Sequence, residues 1–264
     1  GNNSAFRAVN ESGRAVGYSQ KSGGTTAPVY CAVLTGSTLV EVTDMPSLGQ
    51  NGGELNDLTN ETGSNGRMVG FVLDDSNQQR ASAWAGGGTH TWVHGNTSTY
   101  FGASQLLAVV PSGLTHSGRA VGWRRFSSSH SRKRAFYINL NPVGSVVDLP
   151  FGSATETVAT GINSSGDIVG RYYLNGSWYP CYWPNQGGLY TNIFTLSTWT
   201  TTSNDEDQTA RDIADDGTII GSAYSTTYGR GVAVIWRKSG SNYGSRQDLN
   251  AIAAGYTGFN GQIA

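Results

Sequence analysis

This sequence is poor in charge, in lysine, and in both sulfur-bearing residues. Charged residues fill 13% of its 264 positions, the formal net charge is −1, and three lysines (Lys21, Lys133, Lys238) stand against fourteen arginines. A near-neutral chain sets up no global field that would draw it to nucleic acid or to an anionic membrane surface, so neither partner is expected. No apolar run approaches the roughly 20 residues that a spanning helix needs, which removes insertion by a helix from the expectations. The two cysteines, Cys31 and Cys181, are expected as buried small residues and not as a disulfide. No Gly-x-Ser-x-Gly, P-loop or dinucleotide fingerprint occurs, and the pair His90 and His94 is too little for a metal site, so no cofactor and no metal are expected. No secretory leader is visible and the sequence starts at Gly1, as expected of a processed or trimmed chain.

What the chain does have is glycine (37 residues), abundant Ser, Thr and Asn, and aromatics spread from end to end: seven Trp, thirteen Tyr and eight Phe. That mixture suits many short strands joined by tight turns, and the aromatics require packing partners, which argues against disorder. Self-similarity then organises the whole sequence. Five segments match: Gly13-Arg14-Ala15-Val16-Gly17, Gly66-Arg67-Met68-Val69-Gly70, Gly118-Arg119-Ala120-Val121-Gly122, Gly166-Asp167-Ile168-Val169-Gly170 and Gly217-Thr218-Ile219-Ile220-Gly221. Their closing glycines lie 53, 52, 48 and 51 residues apart. A period near fifty marks a repeat architecture.

Each copy repeats one grammar. An aliphatic residue (Val9, Leu58, Leu114, Ile162, Ile213) precedes a polar turn such as Asn10-Glu11-Ser12-Gly13 or Asn163-Ser164-Ser165-Gly166, which predicts a hairpin between strands a and b. A third strand is expected at Cys31–Leu34, Ala81–Trp84, Ala135–Ile138, Pro180–Trp183 and Val234–Trp236, and a fourth around Leu39–Val42, Val146–Leu149 and Gln247–Leu249. Four strands per copy make one propeller blade. The expectation is therefore an all-β chain, a five-bladed β-propeller of four-stranded antiparallel blades, with a six-bladed or truncated ring as the alternative. The repeats run over about 4–53, 54–105, 106–156, 157–207 and 208–258 of a single 1–264 domain, followed by a tail at 259–264.

The stretch Ile162 to Gly170, with Arg134-Ala135-Phe136, resembles the HAF family of extracellular repeats, whose units read roughly Ile-Asn-x-x-Gly-x-Val-Val-Gly followed by an x-Ala-Phe strand. Repeat 2 departs from it by extra turn residues between Thr59 and Gly66, and repeat 5 by Ala214 in place of Asn. The resemblance implies a secreted protein or one exposed on a cell or virion surface, and it implies no catalytic residues.

In a four-stranded blade the b–c and d–a loops share one face of the ring, and these are the segments that differ between copies, so function is expected there. Just after the repeat glycines come Tyr18, Phe71, Trp123, Arg171 and Ser222, with Arg124, Arg125, Tyr172 and Tyr224 close behind; the d–a loops add Tyr100, Phe101, Phe151 and Trp199. Rings beside Arg suit sugar recognition, because the apolar face of a pyranose packs on an aromatic while polar groups bind its hydroxyls. The ligand-binding expectation is Trp123, Arg124, Arg125, Tyr18, Phe71, Arg171, Tyr172 and Tyr224; the competing reading is that the aromatics plug gaps between blades.

The basic stretch Arg119–Arg134 and the acidic Asp205, Glu206, Asp207, Asp212, Asp215 and Asp216 raise a further expectation, self-association between copies through opposite charges. Asp57 and Asp212 fall at one aligned position of strand a, which keeps a propeller glycoside hydrolase open as an alternative. The leading reading is non-enzymatic: an extracellular or surface module that binds a glycan.

Overall fold

The computed structural model describes residues 3–31, 39–41, 52–60, 66–85, 90–92, 102–110, 118–127, 130–198, 208–225, 229–240 and 242–253. It is built of four-stranded antiparallel sheets, as the repeat predicts. Blade 1 is β1 (Ser4–Val9), β2 (Ala15–Gln20), β3 (Thr26–Cys31) and β4 (Leu39–Glu41). Blade 2 is β5 (Gly53–Leu58), β6 (Arg67–Leu73), β7 (Gln79–Ala85) and β8 (His90–Trp92). Blade 3 is β9 (Ser104–Val109), β10 (Arg119–Ser127), β11 (His130–Asn139) and β12 (Val147–Asp148). Blade 4 is β13 (Glu156–Ile162), β14 (Ile168–Leu174), β15 (Ser177–Trp183) and β16 (Phe194–Thr195). Blade 5 is β17 (Thr209–Ile213), β18 (Ile219–Ser225), β19 (Arg230–Trp236) and, after a small ribbon of β20 (Lys238–Ser239) and β21 (Asn242–Tyr243), β22 (Gln247–Asp248). A single short helix, α1 (Leu249–Ala253), follows among the described residues. The blades fall into two compact units, Gly1–Asp148 with three blades and Leu149–Ala264 with two.

The second glycine of the repeat has one cause in all five blades. Strand a carries a β-bulge at the same register each time, so that Arg7, Asn56, Leu107, Thr160 and Arg211 are skipped in the pairing with strand b. The bulge pushes the backbone of strand a against the residue opposite. A Cβ at that residue would lie 1.9 Å from the carbonyl oxygen of Ala5 (at Gly17), of Glu54 (at Gly70) and of Gln105 (at Gly122). At Gly170 and Gly221 the corresponding distances are 2.0 and 2.1 Å, to Val158 and Thr209. Only glycine fits. The first glycine serves the turn: Gly13, Gly118, Gly166 and Gly217 have φ between 77° and 83°, and Gly66 of the lengthened repeat 2 is not in that region.

The asparagine of the turn ties blades together. Asn163 Oδ1 accepts the Asp167 N–H (2.9 Å) while its Nδ2 donates to the Ala214 carbonyl (3.1 Å), the matching position of the next blade. Asn10 does the same with the Arg14 N–H and the Thr59 carbonyl. Bulge residues add a second tie, Asn56 Nδ2 to Leu106 O and Thr160 Oγ1 to Ala210 O, both at 2.6 Å. Between these ties the faces are apolar: Val16 packs with Leu55, Leu58 and Met68; Val69 with Leu106, Val109 and Ala120; Val169 with Ala210, Ile213 and Ile219. At the outer end of strand c, Trp84, Trp183 and Trp236 share one register position and are fully buried. Trp183 Nε1 donates to Pro150 O and Trp236 Nε1 to Ser197 O, each a carbonyl just past the fourth strand of the preceding blade.

Register corrects three alignments. In blade 3 the aliphatic opposite Ala120 is Val109 and not Leu114, which lies outside the described residues; likewise Ala108 takes the place assigned to Gly113. Strand c of blade 1 ends at Cys31, where it was expected to begin. Both cysteines are buried, but Cys31 holds the position of Trp183 while Cys181 sits two residues earlier along its strand. Hydrophobic patterning fixes a strand's face well and its register poorly, and counting back a fixed distance from the repeat glycine fails in blade 3, where the connection from Val109 to Ala120 is longer than that from Val9 to Ala15.

Two stability outcomes follow, both read by chemical denaturation. Gly122→Ala should cost about 3 kcal/mol or more, since the obstructing atom is backbone, whereas Gly23→Ala, with nothing within 4 Å of the added Cβ, should stay within about 0.5 kcal/mol of wild type. Asn163→Ala should cost about 2 kcal/mol, and Asn163→Asp, which keeps the oxygen acceptor but loses the donor to Ala214, about half of that.

Candidate functional site

The residues expected to bind a ligand lie inside strands and not in loops. Strand b continues well past the repeat glycine, and the b–c connections are short hairpins: Leu174 pairs with Ser177 around Asn175 and Gly176, whose φ values of 50° and 86° mark a two-residue turn. In blade 2 the hairpin is closed by Asp74, which accepts the N–H groups of Ser76 and Gln78 and pairs with Arg80 at 2.7 Å. Burial alone would raise the Asp74 carboxyl; those amides and the guanidinium outweigh it and hold it below its ordinary range.

Tyr18, Phe71, Trp123 and Arg171 project on the same sheet face as the repeat valine, two residues before them, which in blades 1, 2 and 4 meets the following blade. Phe71 is 8% and Trp123 7% exposed, with the Lys133 ammonium 4.5 Å from the Trp123 ring centre. These two rings fill space beside the blade core. Arg124 is buried on the opposite face and forms a two-point ion pair with Asp148 (2.8 and 2.9 Å), which binds strand d of blade 3 to strand b. Arg125 is half-buried at the far end of the same strand, Tyr18 lies under the Arg7 guanidinium, and Tyr224 is half-buried opposite Gly231.

In blade 4 two predicted residues meet aromatic rings, on opposite faces of the sheet. Arg171 lies over the Trp178 ring at 4.3 Å, Tyr172 stacks on Tyr179 at 5.2 Å, and the Tyr172 hydroxyl meets Thr195 Oγ1 at 2.7 Å. Of the d–a aromatics, Phe151 is exposed, and Tyr100, Phe101 and Trp199 lie outside the described residues. So do Asp205, Glu206 and Asp207 and part of the basic stretch.

The carboxylates of the glycosidase alternative have structural partners. Asp57 accepts its own Leu58 amide on Oδ1 and the Val109 amide of blade 3 on Oδ2, each at 2.9 Å. Asp212 accepts the Ile213 amide on Oδ1, and desolvation by the surrounding chain raises its carboxyl above the usual value.

A groove of about 490 Å³ opens in the 149–264 unit, between the third and fourth strands of blade 4 and the β20–β21 ribbon of blade 5. Three rings converge there: Tyr182 meets Tyr243 edge-on at 5.0 Å and Phe194 at 5.8 Å. Gln186, Thr195 and Asn242 supply uncharged hydrogen-bonding groups, and among the described residues no charged side chain lines it. Tyr243 is held by a bond from its hydroxyl to Gly217 O (2.8 Å), fixing the ribbon to the turn of its own blade. Burial first, and then the Asp167 carboxylate, raises both Tyr182 and Tyr243, so both phenols stay protonated. Phe194 is 46% exposed and offers a free ring face.

Sequence reading missed this groove. Its residues come from segments that do not repeat, and Tyr182 lies in a run read as core. One signal was present: Tyr30, Tyr137 and Tyr182 share a register position opposite the repeat valine, where a purely apolar core would have no use for a phenol.

No protein-family model matches the chain, and no curated protein matches it. Among solved structures, the fungal Aleuria aurantia lectin, a six-bladed β-propeller, overlaps with it: a mutant bound to alpha-methyl-L-fucoside at 12% identity and TM-score 0.32, covering 92% of this chain and 94% of that one. A second structure of that lectin gives 10% identity, TM-score 0.31 and coverage of 90% and 92%, and the mutant with Fucalpha1-6GlcNAc gives 12%, 0.29, 92% and 94%. Overlap this loose, at this identity, transfers neither ring geometry nor ligand to the present chain.

Proposed function

We propose that this chain is a non-enzymatic carbohydrate-binding module of β-propeller-type blades that works outside the cell, with a neutral glycan held in the Tyr182–Phe194–Tyr243 groove. The observation that carries the reading is the chemistry of that groove. Aromatic faces at mutual distances of 5 to 6 Å offer a platform for the C–H face of a sugar ring, and amide and hydroxyl groups at the rim match sugar hydroxyls without the desolvation cost of a charge. A phosphorylated or carboxylated ligand would call for a cation there, and the lining contains none among the described residues. In the same unit, blade 4 carries Arg171 with Trp178 on one sheet face and Tyr172 with Tyr179 on the other, and the Tyr172–Thr195 bond joins the second pair to a residue of the groove lining. The likeness of the repeat to the extracellular HAF units supplies the compartment. Against hydrolysis stands the employment of Asp57, whose two oxygens both accept backbone amides and so have no free edge for an acid or base role.

A glycan array followed by calorimetric titration tests this reading. Binding to one or more neutral glycans is expected; Phe194→Ala should weaken it about tenfold, Tyr243→Phe should leave it within about twofold, and no product should be released from the bound glycan. An array blank for folded wild-type protein overturns the proposal.

A further inference from the structure

Blade 4 departs from the earlier repeats at one position, and that position stands beside the groove. Directly after the turn glycine, repeats 1, 2 and 3 carry Arg14, Arg67 and Arg119, whereas repeat 4 carries Asp167. In blades 1 and 3 the arginine lies over the tyrosine that pairs with the repeat valine. Its guanidinium is 5.5 Å from the Tyr30 ring centre in blade 1 and 4.8 Å from that of Tyr137 in blade 3. Blade 4 has the same tyrosine, Tyr182, opposite Val169, but an acid in place of the arginine. The Tyr182 ring is met instead by Phe194 and Tyr243, and it lines the groove.

The carboxylate placed there holds both sides of the groove. Asp167 is buried, and its Oδ1 accepts the Asn185 N–H at 2.8 Å, which fixes the start of the segment carrying Gln186. Asn185 donates from Nδ2 to Ser165 O and accepts the Gly188 N–H on Oδ1, while the Tyr190 hydroxyl donates to Gly166 O. This side is thereby built onto the blade 4 turn. The other oxygen, Oδ2, accepts from the Lys238 ammonium at 3.4 Å. Lys238 pairs with Tyr243 across the β20–β21 ribbon, so both side chains leave the same face of the opposite side. Burial first, and then this one carboxylate, raises the phenols of Tyr182 and Tyr243, which places its charge close to both rings. An arginine at 167 would repel the Lys238 ammonium and offer its guanidinium to the Tyr182 ring.

We infer that the exchange of arginine for Asp167 is what makes blade 4 the binding blade. Asp167 is a positioning residue: it leaves the Tyr182 ring free of a guanidinium and couples the Gln186 segment to the Tyr243 ribbon. The identity of the ligand rests on the glycan reading of this groove, whereas the coupling of its two sides needs no ligand.

Hydrogen exchange read by mass spectrometry on unliganded protein tests the coupling. Lys238→Met should speed exchange in the ribbon around Tyr243 about threefold and leave the Gln186 segment unchanged, and Lys238→Arg, which keeps a cation, should restore the wild-type rate. Asp167→Ala should speed both segments. Calorimetric titration with the neutral glycan that scores highest on the array tests the consequence. Asp167→Arg should fold, because repeats 1, 2 and 3 accommodate the same residue, and it should weaken binding at least tenfold; Lys238→Met should weaken it about threefold. Ribbon exchange in Lys238→Met equal to wild type overturns the inference, and that arm decides the matter even where Asp167→Arg does not fold. Glycan affinity of folded Asp167→Arg equal to wild type also overturns it. An array blank for wild type sinks the glycan reading by itself, and the exchange rates still decide whether Asp167 couples the two sides.

Discussion

The bulge in strand a sets the conditions for the rest of this structure. By inserting one residue opposite the second glycine, it brings the two innermost backbones of each blade so close that a single methyl group would overlap a carbonyl oxygen. The displaced residue then points its side chain toward the neighbouring blade, where Asn56 and Thr160 each find a carbonyl to donate to. The following residue is re-aimed as well, which is how Asp57 reaches an amide one blade away. Backbone geometry that looks like a local defect is thus the source of the directional contacts between blades, while the valine and leucine faces supply the area.

Those contacts are graded along the chain. Where the turn asparagine is present, as at Asn10 and Asn163, one side chain caps its own hairpin and bonds to the next. Blade 5 has Ala214 at that position and caps its turn instead with Asp216, whose Oδ1 accepts the Thr218 amide at 2.7 Å. The turn survives, but blade 5 has no asparagine amide to offer onward. Its strand b face is also the one with the exposed Ile220.

The aromatic residues divide by role according to where the strands put them. Phe71 and Trp123 follow the repeat glycine in the sequence and look like loop residues, yet strand b runs several residues further and turns them against the blade core. Arg124 is occupied by Asp148, a residue twenty-four positions away that only the pairing of the fourth strand brings near. The rings of the groove come from the third and fourth strands of blade 4 and from the β20–β21 ribbon inserted in blade 5, which has no counterpart in the other sheets among the described residues. Such insertions are free to carry a ligand because the scaffold does not need them.

The sequence by itself determined the class of fold, the five copies, their four strands and the hairpin turn, because periodic glycines and alternating aliphatics report backbone demands that recur in every blade. It could not determine register inside strand a, since the bulge residues Arg7, Asn56, Leu107, Thr160 and Arg211 have no side-chain type in common. In repeat 3 the longer connection between Val109 and Ala120, against Val9 and Ala15 in repeat 1, moved Leu114 and Gly113 out of the positions held by Val109 and Ala108. Tertiary structure alone decided that Asp57 is a tie between blades, that Arg124 belongs to Asp148, and that Tyr182, Phe194 and Tyr243 share a groove. Each of these depends on contacts between residues from 12 to 61 positions apart, and no pattern of local composition encodes which distant partner a side chain will meet.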